Sequence, residues 1–205
     1  FNAQINLLAD TVTALGFIPL SVEIMLSEHE AGEQMRLQKR MERKGETPQL
    51  SRYEVRDIYT LQDGSYIGSI EKYYVYTNTT YNNQTGQRMT TNYYYYNDIV
   101  AFCIDPSGQL RWEQRIPKIQ VSINDYGPFS SYASFMDSTS LNFIFNDTEV
   151  NYEENGVFKE GLKEVATFSL SKNRNVGAWV RIDIQTGQMQ REVSHKRATE
   201  NILLI

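Results

Sequence analysis

Five carboxylates are the side chains in this sequence best suited to acid–base chemistry. Glycoside hydrolysis needs two carboxyl groups at a defined separation, one to protonate the leaving group and one to attack the sugar or activate water. The candidates for such a pair are Glu71, Asp98, Glu113, Asp125 and Asp147. Their spacing along the chain does not bring any two of them together. We therefore predict no catalytic residues and expect a protein that is not an enzyme.

Metal and cofactor chemistry is also poorly represented. His29 and His195 are far apart in sequence, and a single cysteine, Cys103, cannot supply a zinc framework or an intrachain disulfide. The sequence contains neither a glycine-rich phosphate loop nor a G-x-S-x-G nucleophile motif. We expect no metal and no cofactor, with Cys103 as a small core residue and His195 as a surface residue.

Tyrosine is the most distinctive residue type, and eight of the 14 tyrosines lie between positions 73 and 96. The candidate interaction residues in this region are Tyr73, Tyr74, Tyr76, Tyr93, Tyr94, Tyr95 and Tyr96. Strand alternation is expected to place Tyr73 with Tyr93 and Tyr95, and the other four on the opposite face. They would form either a surface for a protein or glycan, or cross-strand pairs that only hold a hairpin together. Because a hairpin aromatic on both faces is poorly soluble alone, we favour a partner and expect Tyr94→Ser with Tyr96→Ser to weaken its binding.

A second candidate surface is the basic end of a helix predicted over residues 28–44. Ser27 and Glu30 have the spacing of a capping box, and Gly45 stands where a helix C-terminus is expected. The basic residues of this helix that could contact an acidic partner are Arg36, Lys39, Arg40 and Arg43. Basic residues also favour a solvated helix C-terminus, and that simpler explanation carries more weight.

Composition narrows the class of protein. The 205 residues are 40% hydrophobic and 22% charged, which is typical of a soluble globular chain. A net charge of −5 gives no reason to expect nucleic acid as a partner. No apolar run approaches the length of a membrane span, and no signal peptide is visible. Phe1 at the first position is typical of a processed protein or of a segment of a longer one.

The first 50 residues are predicted to form a segment distinct from the rest. Residues 1–20 favour a short helix or irregular packing, and residues 21–26 favour a strand. The helix over residues 28–44 follows, and Pro48 prevents its continuation.

Residues 51–205 have the pattern of antiparallel strands. Strands are predicted at 53–59 and 65–75 around an Asp63-Gly64 turn, and at 99–104 and 110–116 around Asp105–Gly108. Between them, residues 72–77 and 89–96 are predicted to form a long hairpin that projects from the core. Further strands are predicted at 130–136, 140–146, 165–170, 178–184 and 188–194, with a loop insertion at 147–161 and the start of another strand at 201–205.

The strand pattern occurs twice, which predicts two four-stranded units at about residues 51–118 and 129–196. Ile104-Asp105-Pro106-Ser107-Gly108-Gln109-Leu110 is similar to residues 182–189, and residues 61–67 occupy the place of residues 135–141. Four antiparallel strands make one blade of a β-propeller. We therefore predict a mainly β fold of antiparallel, propeller-like four-stranded blades with an N-terminal helical segment.

Residues 53–205 resemble the blades of secreted quinoprotein-like and WD-repeat-like β-propellers. The motif runs from Asn97-Asp98-Ile99-Val100 through Trp112 to Ile116-Pro117-Lys118 and Gln120, and it is similar to repeats in poorly characterised extracytoplasmic proteins of Bacteroidota. The second unit has Arg191 or a neighbour where the first has Trp112. Because a propeller needs about four to eight blades, the resemblance implies further blades in a longer chain or strands from a partner.

The function that these observations predict is a non-enzymatic protein-interaction or scaffold subunit of a cell-envelope assembly. The resemblance implies an extracytoplasmic location, in the periplasm or at the cell surface. The expected partners are proteins, with no nucleic acid and no membrane span. The alternative is a carbohydrate-binding or carbohydrate-active propeller protein, in which the tyrosines or the carboxylates would contact a glycan.

Overall fold

The computed structural model describes residues 2–6, 11–16, 20–26, 31–44, 51–162, 164–170 and 174–197. The predicted capping box at Ser27 and Glu30, the helix stop at Gly45 and the predicted strand at 201–205 lie outside these residues. The mainly β, antiparallel character predicted from the sequence is confirmed.

The N-terminal segment differs from its prediction at two places. Strands β1 (Asn2–Asn6) and β2 (Thr11–Gly16) form a two-stranded antiparallel sheet where a helix or irregular segment was expected. Helix α1 (Val22–Leu26) replaces the predicted strand, and the Ser21 hydroxyl accepts a hydrogen bond from the Ile24 amide at its start. An apolar run this short does not distinguish helix from strand by periodicity, so local capping decides. Helix α2 (Ala31–Lys44) confirms the predicted helix over the described residues.

The first large sheet is built by consecutive antiparallel strands. They are β3 (Tyr53–Thr60), β4 (Tyr66–Asn82), β5 (Gln87–Ile104) and β6 (Leu110–Ile116), in that spatial order. Strand β7 (Gln120–Ile123) pairs with residues 93–96 in the middle of β5. The predicted long hairpin at 72–77 and 89–96 is present as the outer part of β4 and β5, which continue without a break from the strands predicted at 65–75 and 99–104. A register shift between Glu71 and Tyr73 marks the point where the paired sheet passes into a longer two-stranded ribbon.

The second sheet has the same consecutive order. Its strands are β8 (Ala133–Met136), β9 (Ser140–Thr148), β10 (Asn175–Asp183) and β11 (Met189–Lys196). The predicted strand at 165–170 is wrong, because the side chain of Asn151 bonds both the amide and the carbonyl of Ala166 in place of a neighbouring strand. The predicted loop at 147–161 begins later than expected, since Asp147 and Thr148 complete β9 and a 3-10 turn follows at Glu149–Asn151.

An aspartate closes four of the hairpins that build the two sheets. Asp63, Asp105, Asp137 and Asp183 each accept hydrogen bonds from backbone amides two or more residues further along the turn. Short polar side chains stabilise turns in this way because they satisfy amides that no strand can reach. Backbone amide donation to the charged carboxylate lowers the pKa of Asp63, Asp137 and Asp183, that of Asp137 to about 2. The pKa of Asp105 is lowered first by the Ser107 hydroxyl and then by the Gln109 amide.

The two sheets pack face to face around one apolar core. Ile67, Ile99 and Cys103 contribute from the first sheet, and Phe143 and Val180 from the second, all fully buried. Trp112 of β6 reaches across and donates its indole N–H to the carbonyl of Ile184, 3.0 Å away. The propeller that the sequence suggests needs further sheets, and the described residues form no closed barrel or propeller.

Candidate functional site

We call the part of the β4–β5 ribbon that adjoins the first sheet the ribbon base. Its outer side carries an open aromatic surface, which we call the tyrosine face. It consists of Tyr74, Tyr76, Tyr93 and Tyr95 of β4 and β5 with Val121 and Ile123 of β7, which lie opposite one another across the strands. The side chain of Tyr76 is 55% exposed and that of Ile123 is 53% exposed. These residues form a contiguous half-covered surface of the type found in interfaces.

Stacking holds the tyrosine face in a defined shape. The rings of Tyr74 and Tyr95 are 4.6 Å apart and 9° from parallel, and the guanidinium carbon of Arg52 lies 4.6 Å from the Tyr74 ring centre. Tyr76 pairs with Tyr93 at 6.0 Å. An open depression of about 440 Å³ lies over this stack, lined by Arg52, Tyr74, Tyr76 and Tyr95 with Val75. The arrangement offers ring edges, hydroxyls and one cation to a ligand.

The opposite side of the ribbon base is covered by the protein itself. Tyr73, Tyr94 and Tyr96 face inwards, on the same side as buried Gln120, beneath the loop that contains Tyr126 and Gly127. Tyr94 is only 7% exposed, its ring lies 5.2 Å from that of Tyr126, and the Tyr96 hydroxyl donates to the Tyr126 carbonyl. Burial raises the pKa of Tyr96 to about 12.

The predicted grouping of the tyrosines is therefore wrong. Tyr74 lies opposite Tyr95 and Tyr76 opposite Tyr93, so these four share the exposed face, whereas Tyr73 pairs with Tyr96 on the covered face. The four-residue turn between Asn82 and Gln87 sets this register, and a shift of one residue would exchange the faces. Tyr94 and Tyr96 are consequently packing residues, and substituting them does not test partner binding without disturbing the fold.

The four basic residues predicted as a second surface are exposed on α2. The Arg43 Nε donates to the carbonyl of Lys39, one turn earlier, which is ordinary behaviour for a helix C-terminus. Within the described residues, no strand contacts α2 as extensively as α1 does. The structure therefore does not join Arg36, Lys39, Arg40 and Arg43 to the tyrosine face in one site.

A buried ionic cluster lies directly under the ribbon base. Lys118 Nζ donates to Glu71 Oε1 at 2.7 Å, to the Tyr96 carbonyl at 3.0 Å and to Gln120 Oε1 at 3.0 Å, so all three of its donors are satisfied. The second oxygen of Glu71 accepts from Arg56 and from the Ser131 hydroxyl. Burial lowers the pKa of Lys118, and the charge of Glu71 opposes that shift.

A second buried cluster lies in the other sheet, centred on Arg191. Its guanidinium forms an ion pair with Asp147 and donates to the Tyr152 hydroxyl and the Pro117 carbonyl. The ring of Phe158 lies 4.0 Å from the guanidinium carbon, and the ring of Phe145 lies 5.1 Å from it. Lys118 Nζ also contacts the Phe145 ring, at 5.9 Å, so this one ring connects the two clusters.

The candidate catalytic carboxylates are each held by other groups. Glu71 and Asp147 belong to the two clusters, and Asp98 accepts two hydrogen bonds from Arg115 and one from the Lys118 amide. Glu113 accepts the Ser21 amide with both oxygens and so fixes the start of α1, and Asp125 accepts the Gly127 amide. These contacts give each carboxylate a structural role.

The described residues contain no cluster of three or more histidine, cysteine or acidic side chains that could hold a metal ion. Cys103 is fully buried, as expected from its apolar strand, and burial raises the pKa of its thiol. No helix within the described ranges is long and apolar enough to cross a membrane.

Sequence reasoning missed Lys118, Gln120 and Arg191 as central residues of the polar clusters. The signal was present, because Lys118 and Gln120 follow an apolar strand in the Ile116-Pro117-Lys118 motif and Arg191 stands at an inward position of β11. Charged residues at inward positions are buried only when they are paired.

Comparison with known proteins adds no further assignment, since no family model, no curated protein and no solved structure matches this chain.

Proposed function

We propose that this chain is a non-enzymatic protein-interaction or scaffold subunit that binds a partner through the tyrosine face. The observation that carries the proposal is the exposure of Tyr76 and Ile123 at 55% and 53% beside the ordered Tyr74–Tyr95 stack. Tyrosine contributes large contact area at a small cost in side-chain entropy, and it is enriched where proteins meet.

The rigidity of the support favours the same use. The ribbon base stands on the buried Glu71–Lys118 pair, and the covered tyrosines fill the space between the ribbon and the loop at Tyr126. A preformed surface loses little conformational freedom when it binds, which favours affinity. A partner would therefore meet the tyrosine face in the shape that the free chain already has.

The wider context of the proposal is an extracytoplasmic, cell-envelope assembly with a propeller-like arrangement. The motif resemblance supports the location, and two sheets, each with four strands in consecutive antiparallel order and packed face to face, are what two neighbouring blades require. A non-enzymatic role is supported by the pairing of Glu71, Asp98 and Asp147 with cations, because each carboxylate already holds a structural contact.

The experiment is affinity purification of the tagged full chain from its host, with tyrosines of the exposed face changed to serine. Tyr76→Ser with Tyr93→Ser removes the exposed pair, and we expect partner recovery to fall at least about tenfold, as hot-spot truncations do. The control is Tyr126→Ser, which removes a tyrosine that is 77% exposed on the other side of the ribbon. Undiminished recovery by a folded double variant would contradict the proposal.

Carbohydrate binding is the second candidate, and the open depression beside Arg52 favours it. Aromatic rings and guanidinium donors are typical of sugar-binding clefts, and the depression of about 440 Å³ is large enough for a sugar unit. The Tyr74 ring is already contacted by Arg52 and Tyr95, which leaves little of its face for a sugar. Binding of the full chain on a glycan array that is lost on Arg52→Ala would favour this function over protein binding.

A further inference from the structure

The outer edge of β4 is an unpaired strand edge from Val75 to Tyr81. Strand β3 pairs with β4 only as far as Lys72, where the Tyr73 amide donates to the Arg52 carbonyl at 2.9 Å. Beyond that point no strand of the described residues pairs with this side of β4, which continues to Asn82. The ribbon therefore extends a row of backbone donors and acceptors into solvent.

The hydrogen-bond pattern identifies which residues offer those groups. Because the amide of Tyr73 points away from β5, the alternation of an antiparallel ladder directs the N–H and C=O groups of every second residue to the same side. The register between β4 and β5 is unbroken from Tyr73 to Asn82, so the outward groups belong to Val75, Thr77, Thr79 and Tyr81.

The chemistry of this edge lacks the usual protection against pairing. Natural edge strands carry lysine, proline or a bulge to prevent addition of another strand. Residues 73–87 contain no charged side chain and no proline, and the paired stretch of β4 there has no bulge. The other edge of the ribbon differs, because Asn124 caps Asn92 with two hydrogen bonds and Arg88 adds a charge.

We propose that this edge pairs with the same edge of a second copy of the chain, in an antiparallel register with its two-fold axis at Asn78. In that register Val75 lies opposite the partner's Tyr81, and Thr77 lies opposite the partner's Thr79. The outward groups of all four residues on both strands are then bonded. A register centred one residue away leaves some of these groups without a partner.

Side-chain complementarity also supports a second copy of the chain as the partner of this edge. Val75 is 44% exposed and Tyr81 is 59% exposed in the single chain, and the two-fold pairing covers each with the other. Aromatic and β-branched side chains directly opposite one another stabilise a strand pair, and no like charges meet along it. A self-complementary edge is what a two-fold interface requires.

The pairing would also join two tyrosine faces. A two-fold axis perpendicular to the sheet leaves even-numbered residues of β4 in both copies on one side, so Tyr74 and Tyr76 of each chain would share it. The edge is separate from the side chains of the tyrosine face. The proposal therefore stands whether or not that face binds another protein.

The first test is the oligomeric state of the full chain, measured by sedimentation over a concentration series, with a matched pair of proline variants. Thr79→Pro removes an outward N–H from the β4 edge, and Thr90→Pro removes an outward N–H from the β5 edge directly across the ribbon. Both variants lose the same Thr79–Thr90 side-chain contact of 3.2 Å, and both place proline where an edge strand tolerates it. We expect Thr79→Pro to weaken dimerisation about tenfold or more through two lost hydrogen bonds, and Thr90→Pro to leave it unchanged.

A second test examines the register itself. Asn78→Lys and Asn78→Asp each place like charges at the two-fold axis, so each variant alone should be a weaker dimer, and their mixture should form a heterodimer. A wild-type chain that stays monomeric would overturn the proposal. So would a dimer that Thr79→Pro and Thr90→Pro weaken equally, or Asn78 variants whose mixture is no tighter than either variant alone.

Discussion

Lys118 and Glu71 form an ion pair with a separation of 2.7 Å and side-chain exposures of 1% and 0%. The two residues come from different segments of the first sheet, and the pair lies where β4 leaves β3 to enter the ribbon. Burying two charges is favourable only when every donor and acceptor is used, and here Arg56, Gln120 and Ser131 complete the set. The tyrosine face is therefore anchored by a polar cluster as well as by the core.

Breaking this pair should be strongly destabilising. Lys118→Met leaves Glu71 buried without its main counter-charge, and we expect the free energy of unfolding to fall by about 3–5 kcal/mol. Urea unfolding of the full chain measures it. The control is Glu192→Gln in the more exposed Arg181–Glu192 pair, which has a similar separation of 2.8 Å and where we expect a loss of about 1 kcal/mol or less. Equal effects of the two substitutions would show that the buried pair contributes no more than a surface pair.

Gly187 is required for the contact between the two sheets. It has a φ of 73°, and a Cβ added to it would lie 2.7 Å from the Trp112 side chain. Gly187→Ala should cost about 2 kcal/mol or more, because it adds overpacking to an unfavourable backbone conformation.

Gly161 supplies the comparison for that substitution. Its φ is 70°, and nothing lies within 4 Å of its added Cβ, so Gly161→Ala measures the backbone cost alone, at about 1 kcal/mol. Thermal unfolding followed by tryptophan fluorescence distinguishes the two variants. A Gly187→Ala chain as stable as the Gly161→Ala chain would mean that the Trp112 contact can relax without cost.

Acid should destabilise the fold through its four aspartate turns. The pKa of Asp63, Asp105, Asp137 and Asp183 is lower in the folded chain, so the unfolded chain binds protons first as the pH falls. Their stabilisation is complete above the ordinary aspartate pKa and is lost as the pH falls towards about 2, the value for Asp137.

Asp137→Ala tests this dependence most directly. It should lower stability near neutral pH and flatten the decline between about pH 4 and pH 2, because the turn amides lose their acceptor. Urea unfolding at a series of pH values measures both effects. The exposed Glu154, changed to alanine, serves as control. If the Asp137→Ala chain lost stability between about pH 4 and pH 2 as steeply as the unchanged chain, the pH dependence would belong to other carboxylates.

The hairpins could be predicted from the sequence because each carries its own turn residues. Asp63-Gly64 and Asp105–Gly108 act within a few residues, so their effect is visible without knowledge of the fold. The faces of the tyrosines followed a different rule. They depend on the pairing of Asn82 with Gln87 across the four-residue turn 83–86. Alternation within each strand does not give that pairing, so it does not show which tyrosines of β4 and β5 share a face.

The pairing within the polar clusters could not be predicted, because their members are distant in sequence. Glu71 and Lys118 are 47 positions apart, and Asp147 and Arg191 are 44 apart. Helix α1 has a distant contact in addition to its local cap, since Glu113 of β6 accepts the Ser21 amide. Local patterns indicate that a charge lies at an inward position, but only the packing of two sheets shows which opposite charge meets it.

The ring of Phe145 in the second sheet lies close to both Lys118 and Arg191, so it links the two buried ionic clusters. Arg191 also donates to the Pro117 carbonyl. Separating the two sheets would therefore leave charged groups of both clusters without their partners. We therefore expect that neither of the two large sheets is an autonomous folding unit. We expect residues 51–197 to melt in a single cooperative transition, and a cut in the connection between the sheets to release no stable half.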